Sequence, residues 1–280
     1  MRRIELHNPE GVQWIPDQHS GDGVLVLAGS SGRVDSDRAR KFADHGCRSE
    51  SIRWFGGHHQ HDGPWEIPLE TFLERITALK ESCDRVYVVG TSFGSEAALL
   101  CGAHSDAVSG VVAFAPSDVV WAGFDSEQRE TSHWTSEGEP LPYVPFDFQS
   151  NAQQSPPRYL PLYERSRATF ADRIASATIP VERIKSLVLV AGGDDQVWPS
   201  VAHATRIRDA RDGCGYPTDL VTDDAAGHRT ILPGESVAVG GTVMHRGGTE
   251  TADRALGFAA WGAITRMLDA DSNNPQPCSP

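Results

Sequence analysis

Residues 86–100 read Val86-Tyr-Val-Val-Gly-Thr-Ser-Phe-Gly-Ser-Glu-Ala-Ala-Leu-Leu100. A β-branched run leads into Gly-Thr-Ser-Phe-Gly and then into an Ala/Leu-rich segment. A helix N-cap accounts for the serine but not for the glycines at 90 and 94. A nucleophile elbow accounts for all three. The serine sits on a sharp, strained strand-to-helix turn, where side chains two residues away on either side would strike the neighbouring strand and helix. The turn lifts the Ser92 hydroxyl above the sheet edge, and the helix start behind it favours negative charge.

Around this stretch the chain alternates between strand and helix patterns. Residues 3–7 and 12–16 suit a hairpin about Asn8-Pro9-Glu10-Gly11. Residues 24–28 are continuously apolar, as in a strand covered on both faces. Strand patterns recur at 51–55, 108–114, 187–190 and 219–221, and helix patterns at 35–46, 68–82, 96–102, 201–211 and 251–268. The alternation predicts an α/β fold with a mostly parallel central sheet and helices on both faces. Residues 116–161 break the pattern, being rich in Pro, Trp, Tyr and Phe without a period; a short helix is predicted at 169–177. The expected organisation is one domain over 1–280 with an aromatic-rich lid insertion at about 116–180.

A nucleophilic serine needs a base, and the base an orienting acid, which in this class follow in the order Ser, Asp, His. Leu187-Val-Leu-Val-Ala-Gly-Gly-Asp-Asp-Gln-Val-Trp-Pro199 is a strand ending in a loop with two acids; Asp195 is the candidate orienting acid and Asp194 a turn residue. Asp118, directly after the strand that follows the elbow, is the second candidate. His228 follows small residues after the last strand and is the candidate base, with His245 as its rival. An oxyanion hole needs two backbone N–H groups. Phe93, next to the serine, supplies one; Ser30, in Gly29-Ser-Ser-Gly32, is the candidate for the other, with Ser31 close behind.

Gly57-His-His-Gln-His-Asp62 invites a metal reading. No second ligand cluster accompanies it, and a serine triad requires no metal, so neither metal nor cofactor is expected. The formal net charge of −13 argues against nucleic acid or an anionic membrane surface as partner. The N-terminus carries two arginines without an apolar run behind them, so no signal peptide is expected. No apolar stretch approaches the roughly 20 residues of a membrane helix. Five scattered cysteines without a CxxC argue against a disulfide framework or zinc site, making a reducing cytoplasm the expected location.

With these residues in view, the chain resembles the C-terminal catalytic domain shared by acyl-CoA thioester hydrolases and bile acid-CoA:amino acid N-acyltransferase, of the α/β-hydrolase fold. The matching stretches include Leu27-Ala-Gly-Ser-Ser-Gly32, Ile67-Pro-Leu-Glu-Thr-Phe72, Gly90-Thr-Ser-Phe-Gly-Ser-Glu96 and Ala115-Pro-Ser-Asp-Val-Val-Trp-Ala-Gly123. They continue with Gly138-Glu-Pro-Leu-Pro-Tyr-Val-Pro-Phe146, Gly193-Asp-Asp-Gln-Val-Trp-Pro-Ser200, Ala226-Gly-His228 and the Trp261 helix. The resemblance implies a triad of Ser92, Asp195 and His228. It also implies a small-molecule acyl thioester or ester as substrate, with water favoured as acceptor, since serine nucleophiles in that family go with hydrolysis and cysteine with amino-acid conjugation. Two features depart from the family. The animal members carry a preceding β-sandwich domain for which this chain leaves no room, and Gly227-His-Arg-Thr230 lacks the Glu-Pro-Pro that often follows the family histidine.

Trp121, Phe124, Trp134, Tyr143, Phe146 and Phe148 are expected to line an apolar acyl pocket. Arg158, Arg165, Arg167 and Arg173 are candidates to meet CoA phosphates, the alternative being a solvated helix face paired with Glu164 and Asp172.

Overall fold

Apolar residues at period two sort the central strands onto two faces. In the computed structural model, which describes residues 1–148, 155–237 and 243–272, these strands are β3 (Asp22–Leu27), β6 (Arg85–Thr91), β7 (Val108–Phe114) and β12 (Leu187–Gly192). Leu25, Leu27, Val86, Val88, Val111, Ala113, Leu187 and Leu189 point to one side, where they meet Phe72 and Ile76 of α2 (Glu70–Lys80), most of α3 (Phe93–His104) and Ile207 of α6 (Ser200–Arg211). Val24, Val26, Tyr87, Val89, Val112, Phe114, Val188 and Val190 point to the other. There they meet Ala39 and Phe42 of α1 (Ser36–Asp44) and Leu256, Ala260 and Ile264 of α7 (Glu250–Ser272). Each fully buried Val or Leu of these runs stabilises the fold by about 1.5–3 kcal/mol relative to exposure.

The eight-stranded sheet has the order β1-β2-β4-β3-β6-β7-β12-β13, with β1 (Arg2–His7), β2 (Glu10–Ile15), β4 (Arg48–Ile52) and β13 (Thr218–Asp223) completing it. The predicted opening hairpin is present, pairing Arg2 with Ile15 and His7 with Glu10. β2 joins β4 antiparallel, and every pairing from β4 to β13 is parallel. The crossovers place the C-terminal ends of β3, β6, β7, β12 and β13 along one edge, where an open parallel sheet offers its site.

Between β7 and β12 the chain forms short irregular pieces. β8 (Ala122–Phe124) pairs with β9 (Glu130–Ser132), and β10 (Trp134–Ser136) lies between β11 (Glu139–Pro140) and β5 (Ile67–Pro68). The helix expected at 169–177 is instead two pieces: α4 (Leu160–Thr169), which starts earlier with Pro161 in its first turn, and α5 (Ile174–Ala177). Proline favours a helix start, and Leu162, Tyr163 and Ser166 give α4 its buried side. Val119, Trp121, Val144, Tyr163, Ala177 and Trp198 form a small core of their own beneath these pieces. No helix among the described residues is long and apolar enough to cross a membrane. Cys47, Cys83 and Cys101 are buried free thiols and Cys214 is exposed; Cys278 lies outside the described residues.

Candidate active site

The opening motif forms the strained turn its glycines require. Ser92 joins β6 to α3 with φ 57° and ψ −125°. A Cβ on Gly90 would stand 2.0 Å from the Gly94 carbonyl oxygen, and one on Gly94 would stand 2.3 Å from that of Ala28. Alanine at either position would therefore push α3 off the strands. The Ser92 amide donates to the Phe114 carbonyl at 2.9 Å, fixing the turn against β7.

Ser92 and His228 line one cavity of about 770 Å³ at the C-terminal edge of the sheet, and each is only 8% exposed. His228 Nδ1 lies 2.7 Å from Asp195 Oδ2. The other Asp195 oxygen, Oδ1, accepts from the backbone amides of Val197 at 2.8 Å and Trp198 at 3.3 Å; Ser200 Oγ also donates to Oδ2. Close backbone approach makes this meeting possible: a Cβ on Gly192, at the end of β12, would stand 2.2 Å from the Gly227 carbonyl oxygen. Asp194 closes the loop, accepting from the Gly248 amide at 2.8 Å and bonding Gln196.

The second candidate acid faces elsewhere. Asp118 is bridged by Arg167 at 2.8 Å and Arg206 at 3.0 Å, and it accepts from His203. Burial alone would raise its pKa. The hydrogen bond and charge of His203, with Arg206 and Arg167, instead hold it well below the usual carboxylate range. His245 is exposed, and its backbone amide is bound to the Pro157 carbonyl.

Phe93 opens α3, where first-turn amides have no intrahelical acceptor. Ser30 and Ser31 line the same cavity on a turn closed by the Gly32 amide and the Gly29 carbonyl at 2.9 Å. A Cβ on Gly29 would lie 3.0 Å from Ser92 Cβ, so this loop reaches the serine.

Three of the six aromatic residues expected to line the pocket do so: Phe124, Phe146 and Phe148. Trp121 and Trp134 are fully buried beneath it, because each indole N–H has found an internal acceptor. Trp121 Nε1 donates to Ser117 Oγ at 3.0 Å and Trp134 Nε1 to Glu96 Oε2 at 2.9 Å. Tyr143 packs partly buried against the core on the α3 side of the sheet. Tyr159, Tyr163 and His133 complete the aromatic wall and lacked any sequence signal beyond their aromatic character.

Of the four arginines proposed for CoA, Arg167 holds Asp118 and Arg165 donates to the Asp147 carbonyl at 2.6 Å, while Arg158 and Arg173 are exposed and lie outside the cavity lining. A different set, Arg33, Arg229 and Arg246, lines the cavity. Burial, then the charges of Arg246 and Arg33, push Arg229 down to about 10. Buried Arg38 ties the site together. It pairs with Glu235 at 2.8 Å and donates to Thr91 Oγ1 and to the Thr230 carbonyl, each at 2.9 Å, so it links the elbow to the histidine loop. The histidines of residues 57–62 make local edge-on ring contacts, His58 with His59 and His61 with Trp65. Among the described residues no group of three or more metal-ligating side chains is assembled.

Residues 67–263 match the family described as BAAT / Acyl-CoA thioester hydrolase C terminal. The chain belongs to this family. None of the curated proteins matches it in sequence. Among solved structures it is similar in fold to DcsB, solved in complex with its substrate analogue, at 12% identity and TM-score 0.58, covering 97% of this chain and 99% of that one. An Agrobacterium tumefaciens protein of unknown function shares 11% identity at TM-score 0.55, covering 96% and 98% of the two chains. A puromycin-hydrolysing peptidase of Mycobacterium tuberculosis shares 14% identity at TM-score 0.55, covering all of this chain but 40% of that one. At these identities the structures establish the α/β-hydrolase fold.

Glu96, one turn into α3 from Ser92, is fully buried; only its Oε2 is bonded, to Trp134 and, at 3.5 Å, to the Trp121 amide. Burial raises its pKa well above the ordinary range. A folded-state pKa above the unfolded value gives stability that is full below about pH 4.3 and declines as pH rises toward the folded value. Glu96→Gln, which cannot ionise, is therefore expected to raise Tm at pH 7–8 by about 2–4 °C for each kcal/mol recovered. Near pH 4 it should change Tm little. Thermal scans across this range check it; a Tm gain that does not grow with pH would show that Glu96 is ionised in the fold.

Proposed function

We propose that the protein hydrolyses an acyl thioester, an acyl-CoA or a carrier-bound acyl group, through an acyl-Ser92 intermediate. The observation that carries this reading is His228, bonded to buried Asp195, on the same cavity as a strained Ser92, in a chain of the BAAT / Acyl-CoA thioester hydrolase C-terminal family. His228 Nε2 takes the Ser92 proton as Oγ attacks the acyl carbon. Asp195, bonded at Nδ1, keeps the neutral imidazole in the tautomer that leaves Nε2 free, and stabilises the imidazolium that forms. The Phe93 and Ser30 amides receive the oxyanion. Collapse breaks the C–S bond, and the proton on His228 passes to the departing thiolate. Water then attacks the acyl-serine with His228 as base, releasing the acid and restoring Ser92.

The aromatic wall suits an apolar acyl chain. The segment at about 116–180 acts as a lid over it. Arg33, Arg229 and Arg246 favour an anionic leaving group such as one bearing the phosphates of CoA. Water is the acceptor because an acyl-serine is an oxygen ester, less open to aminolysis than an acyl-cysteine.

The test is product partition. With glycine or taurine at millimolar concentration, an acyl-CoA is expected to give mainly free acid by mass spectrometry. Ser92→Cys should raise the amide-to-acid ratio, since the intermediate becomes a thioester. Its total rate should fall, because the larger sulfur shifts the acyl carbon and a misplacement near 1 Å costs about 10²-fold. Mainly amide from the wild type would make the protein an acyltransferase; turnover of oxygen esters alone would make it a carboxylic-ester hydrolase.

A further inference from the structure

His133 is a buried polar group that the reaction above does not use. Only 3% of its surface is exposed, yet it lines the cavity with Ser92. Its ring lies 3.9 Å from that of Phe93, the residue following the serine. Nδ1 is 3.0 Å from the Trp121 carbonyl oxygen. A carbonyl only accepts, so Nδ1 carries the proton and Nε2 presents a lone pair. Nε2 has no hydrogen-bond partner among the described residues. Unlike Nε2 of His203 it is not sealed off, and the residue lines the cavity.

The ring's support is built from the elbow helix. Glu96 Oε2 accepts from the Trp134 indole and from the Trp121 amide, and the Trp121 carbonyl in turn holds His133. The histidine is thus held through its neighbour Trp134 and through the Trp121 carbonyl. Burial pushes it down to about 4, against the raising effect of the Trp121 carbonyl, so it is neutral at pH 7. A phenylalanine here would extend the aromatic wall without desolvating a lone pair.

We propose that His133 selects the acyl group: its Nε2 accepts a hydrogen bond from an uncharged donor, a hydroxyl or amide N–H, carried on the acyl chain within a few carbons of the scissile carbonyl. The position follows from the ring contact with Phe93, whose amide is assigned to the oxyanion. An unsubstituted chain entering the cavity leaves Nε2 dry and unpaired, and a ligand lacking the partner of a buried polar group is discriminated against. A charged ammonium does not suit the site, because it would lose its hydration among aromatic walls.

This inference rests on Ser92 as the nucleophile, so the experiment includes an arm without turnover. Thioesters and oxygen esters of one chain length, unsubstituted, α-hydroxy, β-hydroxy and α-acylamino, are compared by kcat/KM in the wild type and in His133→Phe. The wild type is expected to favour at least one donor-bearing substrate by about 10- to 100-fold, and His133→Phe to bring that ratio near one. The hydroxy and acylamino arms separate the two donors. The corresponding free acids, titrated calorimetrically into the wild type, should show the same preference in Kd even if no ester is turned over. Long-range ¹H–¹⁵N spectra at pH 7 should show a neutral His133 ring with its proton on Nδ1. Equal kcat/KM and Kd for all chains in the wild type, an unchanged ratio in His133→Phe, or an Nε2-protonated ring would each overturn the proposal. Hydrolysis of oxygen esters alone, with the preference intact, would overturn the thioesterase reading and leave this one standing.

Discussion

Ser92→Ala is expected to lower kcat by about 10⁶-fold, the loss seen when a triad nucleophile is removed. The fold should survive, because what holds the turn is backbone: the Ser92 amide on the Phe114 carbonyl at 2.9 Å, and the Ser95 amide on the Ser92 carbonyl at 2.7 Å. Alanine keeps the same Cβ at φ 57°, so it adds no new strain to the turn. Loss of turnover with an unchanged Tm would place the deficit in chemistry rather than in folding. A serine-directed phosphonate should add its mass to the wild type at residue 92 and leave the variant unlabelled. Undiminished turnover in Ser92→Ala, or labelling at another residue, would remove the elbow serine from the mechanism.

Asp195→Asn is expected to cost about 10⁴-fold in kcat, as the equivalent change does in a serine protease. The carboxylate accepts from His228 Nδ1; an amide can turn its NH2 toward that nitrogen and stabilise the wrong tautomer. Asp118→Asn should show the opposite balance, a small change in kcat and a large loss of stability. It leaves Arg167, Arg206 and His203 around a neutral group, and breaking a buried ion pair costs about 3–5 kcal/mol. Because the folded pKa of Asp118 is depressed, its contribution is full above the unfolded carboxylate value of about 3.9 and is lost as pH falls below it. The Tm gap between wild type and Asp118→Asn should therefore narrow in acid. Rate loss concentrated in Asp118→Asn would move the orienting acid to the loop after β7.

The sequence by itself determined what local pattern can encode. Continuous apolar runs at 24–28 and 187–190 and the apolar strand pattern at 108–114 specify strands covered on both faces, and their alternate residues meet two helical layers. The turn at Ser92 is legible because its requirement is local: Gly90 and Gly94 are the positions where a Cβ would meet backbone, and both lie within two residues of the serine. Where pattern was absent the reading was coarser. The pieces between β7 and β12 have no period, so α4 and the small core around Trp121 and Trp198 could not be seen.

Only the tertiary structure decided which acid meets His228. Asp118 and Asp195 both follow parallel strands, and the sequence put Asp195 first without excluding Asp118. They differ in what the sheet order packs beside them: Arg167 from α4 and His203 and Arg206 from α6 surround the first, while the second faces the loop after β13. The same holds for Arg38 with Glu235 and for His133 against Phe93. Those contacts join residues far apart in sequence. A side chain's partner at such a separation is set by the order of strands and the path of the crossovers, which residue type and local spacing do not carry.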